Sequence, residues 1–393
     1  MGEKKKVIVF APPKGDIKLL GPFALTRRVQ DFRVGALTIR EKWEQLLALP
    51  SLDLEDDRYS KYFPTTTLAA IGDDVTKYII PANLLPSKEL IDKVKSLQPG
   101  ETIATPNNPN FISCCTVLAG SLNSVANVES HQYKLLENCV QINQFNKEAL
   151  LYDIELLIKE RTTALVDVSN GIIAPENIFI EDSAVVRHAI LNAEEGPVFI
   201  GKNAVVMEGS CLRGPVYIGD GAVVKMGATI YGATTIGPGC VVGGEIKNSV
   251  FFANSNKGHD GYIGDSVIGE WCNFGAGTSC SNMKNNIGEV DYYFNDTRFV
   301  TGLKKGGVIM GDYSRTAINT SINTGTVVGV SAHVFGSGLT PKIIPNFSWG
   351  FGADADKYDL EKALRDANSW KQLKSQQLTE SEKNILTEIY NNR

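Results

Sequence analysis

A six-residue repeat in the second half of the chain constrains its fold more than any other feature. Aliphatic residues recur at every sixth position in an unbroken register: Ile200, Val206, Leu212, Ile218, Val224, Ile230, Ile236 and Val242. A helix requires a period of 3.6 residues, and sandwich strands alternate with period two and turn every 8 to 12 residues. A period of six fits a short strand followed by a tight turn, and three such units make one coil of a parallel β-helix.

The repeat slips after Val242 and then resumes. The predicted inward positions are Val250, Asn256, Tyr262, Ile268, Phe274 and Cys280, followed by Met310, Thr316, Ile322, Val328 and Val334. Cys240, Cys272 and Cys280 keep the register, so we interpret them as small buried residues. The seven cysteines include no C-x-x-C pair, which leaves a zinc ribbon without support.

Residues 1–170 lack the repeat and alternate strand-like and helical segments. Val7–Phe10 and Asp74–Ile80 are predicted strands, whereas Leu37–Leu47, Ser87–Val94 and Asn146–Arg161 are predicted helices. This alternation predicts an α/β layer domain. The predicted organisation is an α/β domain over 1–170, an all-β solenoid over 171–345 and a helical tail over 346–393 that covers the open end of the solenoid.

Composition narrows the class of protein. The 39 Lys and Arg residues against 44 Asp and Glu residues give a net charge of −5, which disfavours a nucleic-acid partner. No apolar run approaches the ~18 residues that a membrane helix needs. The N-terminus also lacks the long apolar core of a secretory signal. We therefore expect a cytoplasmic protein with no membrane partner.

The solenoid segment resembles one enzyme family at a specific spacing. Glu245–Asn248, Lys257–Tyr262, Ile263–Asp265 and Cys272–Thr278 are similar to the acetyltransferase half of the bifunctional UDP-N-acetylglucosamine pyrophosphorylase / glucosamine-1-phosphate N-acetyltransferase family. Periodicity alone does not give the hand of the coil. The resemblance implies a hexapeptide-repeat, left-handed β-helix that works as a homotrimer and uses acetyl-CoA.

The resemblance also implies roles for individual residues of the solenoid. His259 would be the general base that takes a proton from the sugar amine, a step that suits imidazole because it titrates near neutral pH. Residues expected to contact the sugar phosphate or the acyl carrier are Lys247, Tyr262, Asn273 and Asn282. Small residues expected beside the coenzyme at coil corners are Ala276, Ser314 and Ala332.

The N-terminal half resembles a variant bacterial branch of the same family. The similar stretches are Leu25–Trp43 and Ile80–Pro86, and the resemblance implies a nucleotidyltransferase-like, Rossmann-like domain that uses UTP or another nucleoside triphosphate with Mg²⁺. The usual Gly-rich phosphate loop is absent, and Ala11–Asp16 stands in its place. Residues expected to bind the nucleotide or the sugar phosphate are Arg27, Arg28, Arg33, Lys42 and Asn83.

The metal ligands are not identified by any motif. Asp16, Asp73 and Asp74 are possible Mg²⁺ ligands only because Mg²⁺ prefers carboxylate and phosphate oxygens.

The sequence therefore predicts a two-domain sugar-nucleotide transferase. The N-terminal domain would join a sugar-1-phosphate to UTP, and the solenoid would acetylate an amino-sugar phosphate. Two alternatives stay open at this point. The chain could catalyse only adenylyl or thymidylyl transfer with a structural β-helix, or it could be a non-catalytic trimeric scaffold that binds sugar nucleotides. The lost Gly-rich loop favours the scaffold.

Overall fold

The computed structural model describes residues 5–56, 58–116, 123–159, 163–164, 166–294, 297–353 and 355–393. The chain divides into two compact units. The first contains residues 1–20, 27–32 and 37–137, and the second contains residues 21–26, 33–36 and 138–393.

The first unit is built on a mixed six-stranded sheet with helices, which confirms the predicted α/β class. Its strands are β1 (Lys6–Ala11), β2 (Ser51–Asp53), β3 (Thr76–Pro81), β4 (Leu84–Leu85), β5 (Glu101–Thr105), β6 (Asn108–Cys115), β7 (Asn123–Asn127) and β8 (Lys134–Leu135). The sheet order is β2-β1-β3-β6-β5-β7, and β4 pairs with β8. Strands β2, β1 and β3 are parallel, so their carboxyl ends meet at one edge of the sheet.

Two helices of this unit begin at polar caps that the sequence supplies. Helix α1 (Ile39–Leu47) starts with a capping box in which Thr38 Oγ1 accepts from the Glu41 amide at 3.1 Å and Glu41 accepts from the Thr38 amide at 2.6 Å. Helix α2 (Lys88–Ser96) is capped by Ser87, as predicted. Trp43 on α1 is fully buried, and its indole N–H donates to the Leu84 carbonyl at 2.8 Å.

The second unit contains a parallel β-helix, which confirms the predicted solenoid. Three faces follow one another along each coil, and we call them the first, second and third sheets. The first sheet stacks nine parallel strands: Ile178–Ile180, Val198–Ile200, Val216–Ile218, Thr234–Ile236, Val250–Phe251, Val267–Ile268, Ile309–Met310, Val327–Val328 and Ile343–Ile344. The handedness of the coil stays a prediction.

The other two sheets use shorter strands. The second sheet contains Val185–Val186, Val205–Val206, Val223–Val224, Val241–Val242 and Asn256–Lys257, and continues through Asn273 to Arg315–Thr316, His333–Val334, Ser348–Trp349 and the antiparallel Asp356–Lys357. The third sheet contains Gly171–Ile173, Ile190–Asn192, Cys211–Arg213, Thr229–Ile230, Glu245–Lys247 and Tyr262–Gly264, and the pair Ser279–Cys280 and Ser321–Ile322 follows it. An antiparallel hairpin, Asp291–Phe294 with Thr297–Val300, interrupts the repeat.

The slip in the repeat differs from the prediction. Strand pairing aligns Ile236 with Phe251, Val242 with Lys257 and Ile246 with Ile263. The inward residues are therefore Phe251, Lys257 and Ile263, and the predicted inward Val250, Asn256 and Tyr262 are each wrong by one position. The reason is that three intervals in this part of the chain are shorter than six residues: Ile246 follows Val242 by four positions, Phe251 follows Ile246 by five, and Ile268 follows Ile263 by five. From Ile268 onward the predicted inward residues are correct.

Helix α3 (Val140–Ile158) packs on the solenoid within the second unit. Asn146 donates to the Ala233 carbonyl at 2.9 Å and accepts from the Thr235 hydroxyl at 3.1 Å. The predicted helix ended at Arg161, which lies outside the described residues. The predicted domain boundary at residue 170 puts α3 in the N-terminal domain. The division into compact units instead puts residues 138–170 in the same unit as the solenoid.

Helices α4 (Leu360–Gln372) and α5 (Glu380–Asn391) form the tail. Lys374, just after α4, donates to the Asn254 carbonyl at 3.0 Å, and Arg393 donates to the Phe347 carbonyl at 2.6 Å. These contacts are spread over several coils. The tail therefore contacts a side of the solenoid. That it also covers the open end stays a prediction. None of the helices among the described residues has the length and apolar character to cross a membrane.

An aromatic cluster joins the tail to the second sheet around His333. Its imidazole stacks on Trp349 with ring centroids 5.0 Å apart, packs against Tyr358 at 4.3 Å, and is 3.2 Å from the Arg315 guanidinium. Burial, reinforced by the Arg315 charge, lowers the pKa of His333 to about 4, although the carboxylate of Asp366 opposes this shift. His333 is therefore neutral in the folded protein near pH 7.

We expect acid to weaken this junction. Because the folded-state pKa of His333 lies below the ordinary value near 6.5, its contribution to stability is complete above pH 6.5 and is lost as the pH falls toward 4. His333→Gln keeps an acceptor for Arg315 but cannot titrate. Between pH 7 and pH 5 its melting temperature should fall by about 2–4 °C less than that of the wild type. His188→Gln, at an exposed histidine, is the control; an equal fall in His333→Gln and wild type would contradict the prediction.

Candidate functional site

Polar side chains line one outward column of the third sheet. Strand register places Asn192, Arg213, Tyr231, Lys247 and Gly264 above one another on successive coils. Lys247 is exposed, and its ammonium lies 5.6 Å from the centre of the Tyr231 ring. Arg213 is also exposed and forms a loose pair with Glu195 at 3.5 Å. Two cations two coils apart therefore face the same side of the solenoid, where a phosphate could be held.

Tyr262 and Asn282 meet directly beside this column. Asn282 donates to the Tyr262 hydroxyl at 2.9 Å, and both side chains are half-buried. The hydroxyl takes the space above Gly264, where an added Cβ would lie only 2.1 Å from it. The next position in the column below Lys247 is thus filled by the tyrosine hydroxyl. The one-residue correction in register explains why Tyr262 faces outward and is not part of the core.

Asp265 organises this group, and sequence reasoning did not select it. Its carboxylate accepts from Asn248 at 2.6 Å and also from Asn282. Burial, followed by the charge of Asp265, raises the pKa of Tyr262 to about 12. Tyr262 is therefore a neutral phenol at physiological pH, and its hydroxyl can donate a hydrogen bond to an anionic oxygen. Asp265 lies in the Ile263–Asp265 stretch that carries the family resemblance, and this position could have identified it as a site residue.

His259 lies at an exposed corner between the second and third sheets, in the turn that leads to Tyr262. The preceding coil brings Gly244 against this turn, and a Cβ there would lie 2.9 Å from the His259 carbonyl. The following coil brings the Ala276–Gly277 corner below it, where the Gly277 amide donates to the Asp260 carbonyl at 3.2 Å. His259 is exposed, and among the described residues its imidazole makes no hydrogen bond.

The structure separates Asn273 from these residues. Asn273 lies on the second sheet, bridged to Asn256 on one side and Arg315 on the other. Its neighbours are covered by the tail, since Lys374 donates to Asn256 at 3.3 Å and Arg315 donates to the Asp366 carbonyl at 3.3 Å. The predicted sugar or acyl-carrier contact of Asn273 is therefore not supported by its position.

The three predicted coenzyme residues are not equivalent either. Ala276 is half-buried at the corner below His259. Ser314 and Ala332 are fully buried at the corner between the first and second sheets. The Ser314 hydroxyl donates to the Gly329 carbonyl at 2.6 Å and accepts from the Ala332 amide at 2.9 Å. Their side chains are thus internal, and only Ala276 lies beside His259.

In the first unit, Asn83 holds the loop that stands in place of the Gly-rich loop. Its side chain accepts from the Lys14 amide at 2.9 Å and donates to the Lys14 and Leu136 carbonyls at 2.8 and 3.0 Å. Asn83 is fully buried, and these bonds occupy its amide. Asn83 thereby positions Ala11–Asp16 at the carboxyl ends of β1 and β3. Its predicted contact with a sugar or nucleotide stays a prediction.

Arg28 of the predicted basic cluster is engaged by aromatic rings and carboxylates of the first unit. Arg28 is buried between the rings of Tyr59 and Phe63, each 5.6 Å away, and faces Asp53 at 3.4 Å and Asp56 at 3.3 Å. Its charge is thus already compensated by carboxylates.

The other predicted cations are divided between the units. Lys42 is buried and Arg27 half-buried in the first unit, whereas Arg33 belongs to the second unit and donates to the Ala36 carbonyl. Sequence reasoning missed Arg40, which pairs with Asp31 at 2.6 Å and Asp53 at 2.9 Å.

The described residues do not form a metal site by themselves. No three histidine, cysteine, aspartate or glutamate side chains within them converge on a point where an ion could be held. Asp16, Asp73 and Asp74 are exposed, and Asp16 accepts from the Lys18 amide. We therefore derive no reaction step through Mg²⁺.

Comparisons with known proteins find similarity over parts of the chain. Residues 7–162 match the profile of a family described as sugar nucleotidyl transferase. The matched segment includes α3, so the sequence family and the compact unit divide the chain differently.

Curated relatives match a shorter part of the chain. A bifunctional sugar-1-phosphate nucleotidylyltransferase/acetyltransferase from Sulfurisphaera tokodaii is 36% identical over 28% of this chain and 26% of its own length. The bifunctional protein GlmU of Methanocaldococcus jannaschii is 34% identical over 28% of this chain and 27% of its own length. The chain thus spans about a quarter of these relatives in the matched region, and the recognised resemblance is confirmed over that part.

Solved structures give weaker likenesses. The polysialic acid O-acetyltransferase OatWY is 15% identical and covers 49% of this chain and 85% of its own, with a TM-score of 0.21. A GDP-perosamine N-acetyl transferase from Caulobacter crescentus is 12% identical and covers 61% of this chain and 86% of its own, with a TM-score of 0.12. These scores are too low to carry an argument.

The role of Asn83 gives a testable prediction. In Asn83→Ala the amide protons of residues 11–16 should exchange about 10- to 100-fold faster, because each net hydrogen bond contributes about 1–1.5 kcal/mol to holding the loop. Hydrogen-exchange mass spectrometry measures this. Lys14→Ala is the matched control, since it keeps the backbone groups that Asn83 binds. Equal exchange in wild type and Asn83→Ala would contradict the role.

Proposed function

We propose that the chain is a bifunctional sugar-nucleotide transferase. The first activity joins a nucleoside triphosphate, UTP in the first instance, to a sugar-1-phosphate and releases pyrophosphate. The second moves an acetyl group from acetyl-CoA to the amine of an amino-sugar phosphate. The family match of residues 7–162 supports the first activity, and the relatives whose names combine both activities support the pairing.

The observation that carries the second activity is the placement of His259. An exposed imidazole sits in the turn before Tyr262, on the coil next to Lys247, so a base, a phenol and a cation border one surface. Lys247 is placed to hold the phosphate of the acceptor, with Arg213 further along the column. Tyr262, kept neutral and oriented by Asn282, can donate to an acceptor oxygen.

The chemical step follows from these positions. The amine nitrogen of the sugar attacks the thioester carbonyl, forming the C–N bond while the C–S bond breaks. Neutral imidazole of His259 takes the proton that the nitrogen loses, and the coenzyme leaves as its thiolate, which that proton finally neutralises. Ala276, on the corner below, leaves room for the acyl carrier beside His259.

We also propose that the protein is a cytoplasmic homotrimer, that Mg²⁺ accompanies the nucleotide, and that glucosamine 1-phosphate is the acceptor. The alternative without acetyl transfer predicts sugar-dependent pyrophosphate release and no use of acetyl-CoA. The scaffold alternative predicts neither reaction. Both are separated from the proposal by assaying the full chain for the two products.

We expect His259→Ala to lower kcat for acetyl transfer by about 10²–10⁴-fold, because the amine loses its proton acceptor. His188→Ala is the matched control: His188 is an exposed histidine at the same kind of corner on an earlier coil. Pyrophosphate release and melting temperature should be unchanged in both variants. An undiminished acetyl-transfer rate in His259→Ala would remove His259 from the mechanism.

Gly264→Ala tests the tyrosine. The added methyl group would displace the Tyr262 hydroxyl and come 2.9 Å from the Asn282 amide nitrogen. Loss of one hydrogen bond to the acceptor should raise its KM about tenfold with little change in the KM for acetyl-CoA. Gly171→Ala, in the same sheet with only an ordinary 3.4 Å contact, is the control. Equal acceptor KM values for the two variants would show that Tyr262 does not bind the acceptor.

A further inference from the structure

A lysine occupies a core position of the solenoid directly before the His259 turn. Lys257 is 1% exposed and stands in the inward position that Val186, Val206, Val224 and Val242 fill on the preceding coils of the second sheet. An aliphatic side chain would satisfy this position with no desolvated charge. Burial accordingly lowers the pKa of Lys257 to about 8, against the opposing charge of Asp260.

The ammonium group of Lys257 leaves the core at the corner that carries His259. The four methylenes of the side chain fill the inward position, and Nζ donates to the His259 carbonyl. Gly244 on the preceding coil makes room for this arrangement. A Cβ at Gly244 would lie 3.0 Å from Lys257 Nζ, 2.9 Å from the His259 carbonyl and 2.8 Å from the Gly261 carbonyl, and its φ of +69° also favours glycine.

Two features of the chain thus serve the same turn. The turn over residues 258–261 is exposed at His259 and Asp260 and half-buried at Gly258 and Gly261. Its two glycines make the backbone intrinsically free. The bond from Lys257 crosslinks the end of the strand to the middle of the turn, at the residue whose imidazole faces solvent. Burying an ammonium group destabilises a core unless it is compensated. The compensation here comes from the His259 carbonyl and from the charge of Asp260.

We propose that Lys257 is a positioning residue that fixes the backbone of His259 and so aims its imidazole at the acceptor amine. The inference rests on the proposed role of His259 in acetyl transfer. Lys257 touches neither substrate nor coenzyme in this account. A misplacement of about 1 Å in a general base can cost on the order of 10² in rate, so a small loosening of the turn is sufficient to matter.

The test combines kinetics with a probe of His259 that does not depend on activity. Lys257→Met keeps a straight apolar side chain but removes the ammonium, and Lys257→Gln keeps an N–H donor without the charge. Ile246→Met is the matched control, because it changes an inward residue of the preceding coil and leaves Lys257 in place. The chain has only four histidines, so ¹³C-labelled histidine gives a simple spectrum in which His259→Ala identifies the His259 resonance.

In Lys257→Met we expect the His259 ring resonance to shift toward that of a mobile histidine. The kcat for acetyl transfer should fall about 10- to 100-fold, with the KM for acetyl-CoA unchanged. The melting temperature should stay equal or rise, because a desolvated charge is gone. Lys257→Gln should recover part of both the resonance and kcat, and Ile246→Met should match the wild type in both.

A wild-type His259 resonance in both Lys257 variants would overturn the inference, whatever their activity. If neither variant folds, the wild-type protein decides: a His259 resonance typical of a freely mobile histidine overturns the inference, and a restricted one supports it. A shifted His259 resonance in Lys257→Met, together with full acetyl transfer by His259→Ala, would support the positioning of the turn and refute the catalytic role of His259. The two failures are therefore distinguishable.

Discussion

The register in which the coils stack is the constraint on which the rest of the second unit depends. Each inward side chain must lie above the inward side chain of the preceding coil, since backbone hydrogen bonds tie every strand to the one before it. A shift of one residue exchanges the inside and the outside of a strand. The shortened intervals between Val242 and Phe251 make such a shift, and they turn Tyr262 outward and Lys257 inward. The candidate acceptor surface exists because of that shift.

The same register explains how much of the fold the sequence could reveal. From Ile200 to Val242 every interval is six residues, so the periodicity alone identified the inward residues correctly. The cap at Ser87 is a local signal, and α2 begins directly after it. Helix α1 begins at Ile39, after the Thr38 cap, two residues later than the predicted start at Leu37. The position of the tail was not predictable in this way. It depends on contacts such as Lys374 with Asn254, which join residues 120 positions apart and leave no local signal.

Some residues of the candidate site could be predicted from their spacing along the chain, and others could not. Lys247, Tyr262 and Asn282 were selected by their spacing, and the structure gathers them because neighbouring coils are stacked in register. Asn273 was selected in the same way, but it lies on a different sheet, and spacing along the chain does not specify the sheet. Asn83 was predicted to bind a ligand, whereas its amide bonds the Lys14 backbone and the Leu136 carbonyl. A buried asparagine that fixes a loop and one that binds a sugar have the same sequence signature.

The central claim is that the exposed imidazole of His259 faces the amine of an acceptor whose phosphate is held from the third sheet. The most direct measurement is a crystal structure of the chain soaked with coenzyme A and glucosamine 1-phosphate. The account predicts a His259 ring nitrogen within hydrogen-bond reach of the amine, about 2.6–3.2 Å, with the phosphate beside Lys247. A sugar phosphate bound on another face of the solenoid, with His259 facing only solvent, would contradict it.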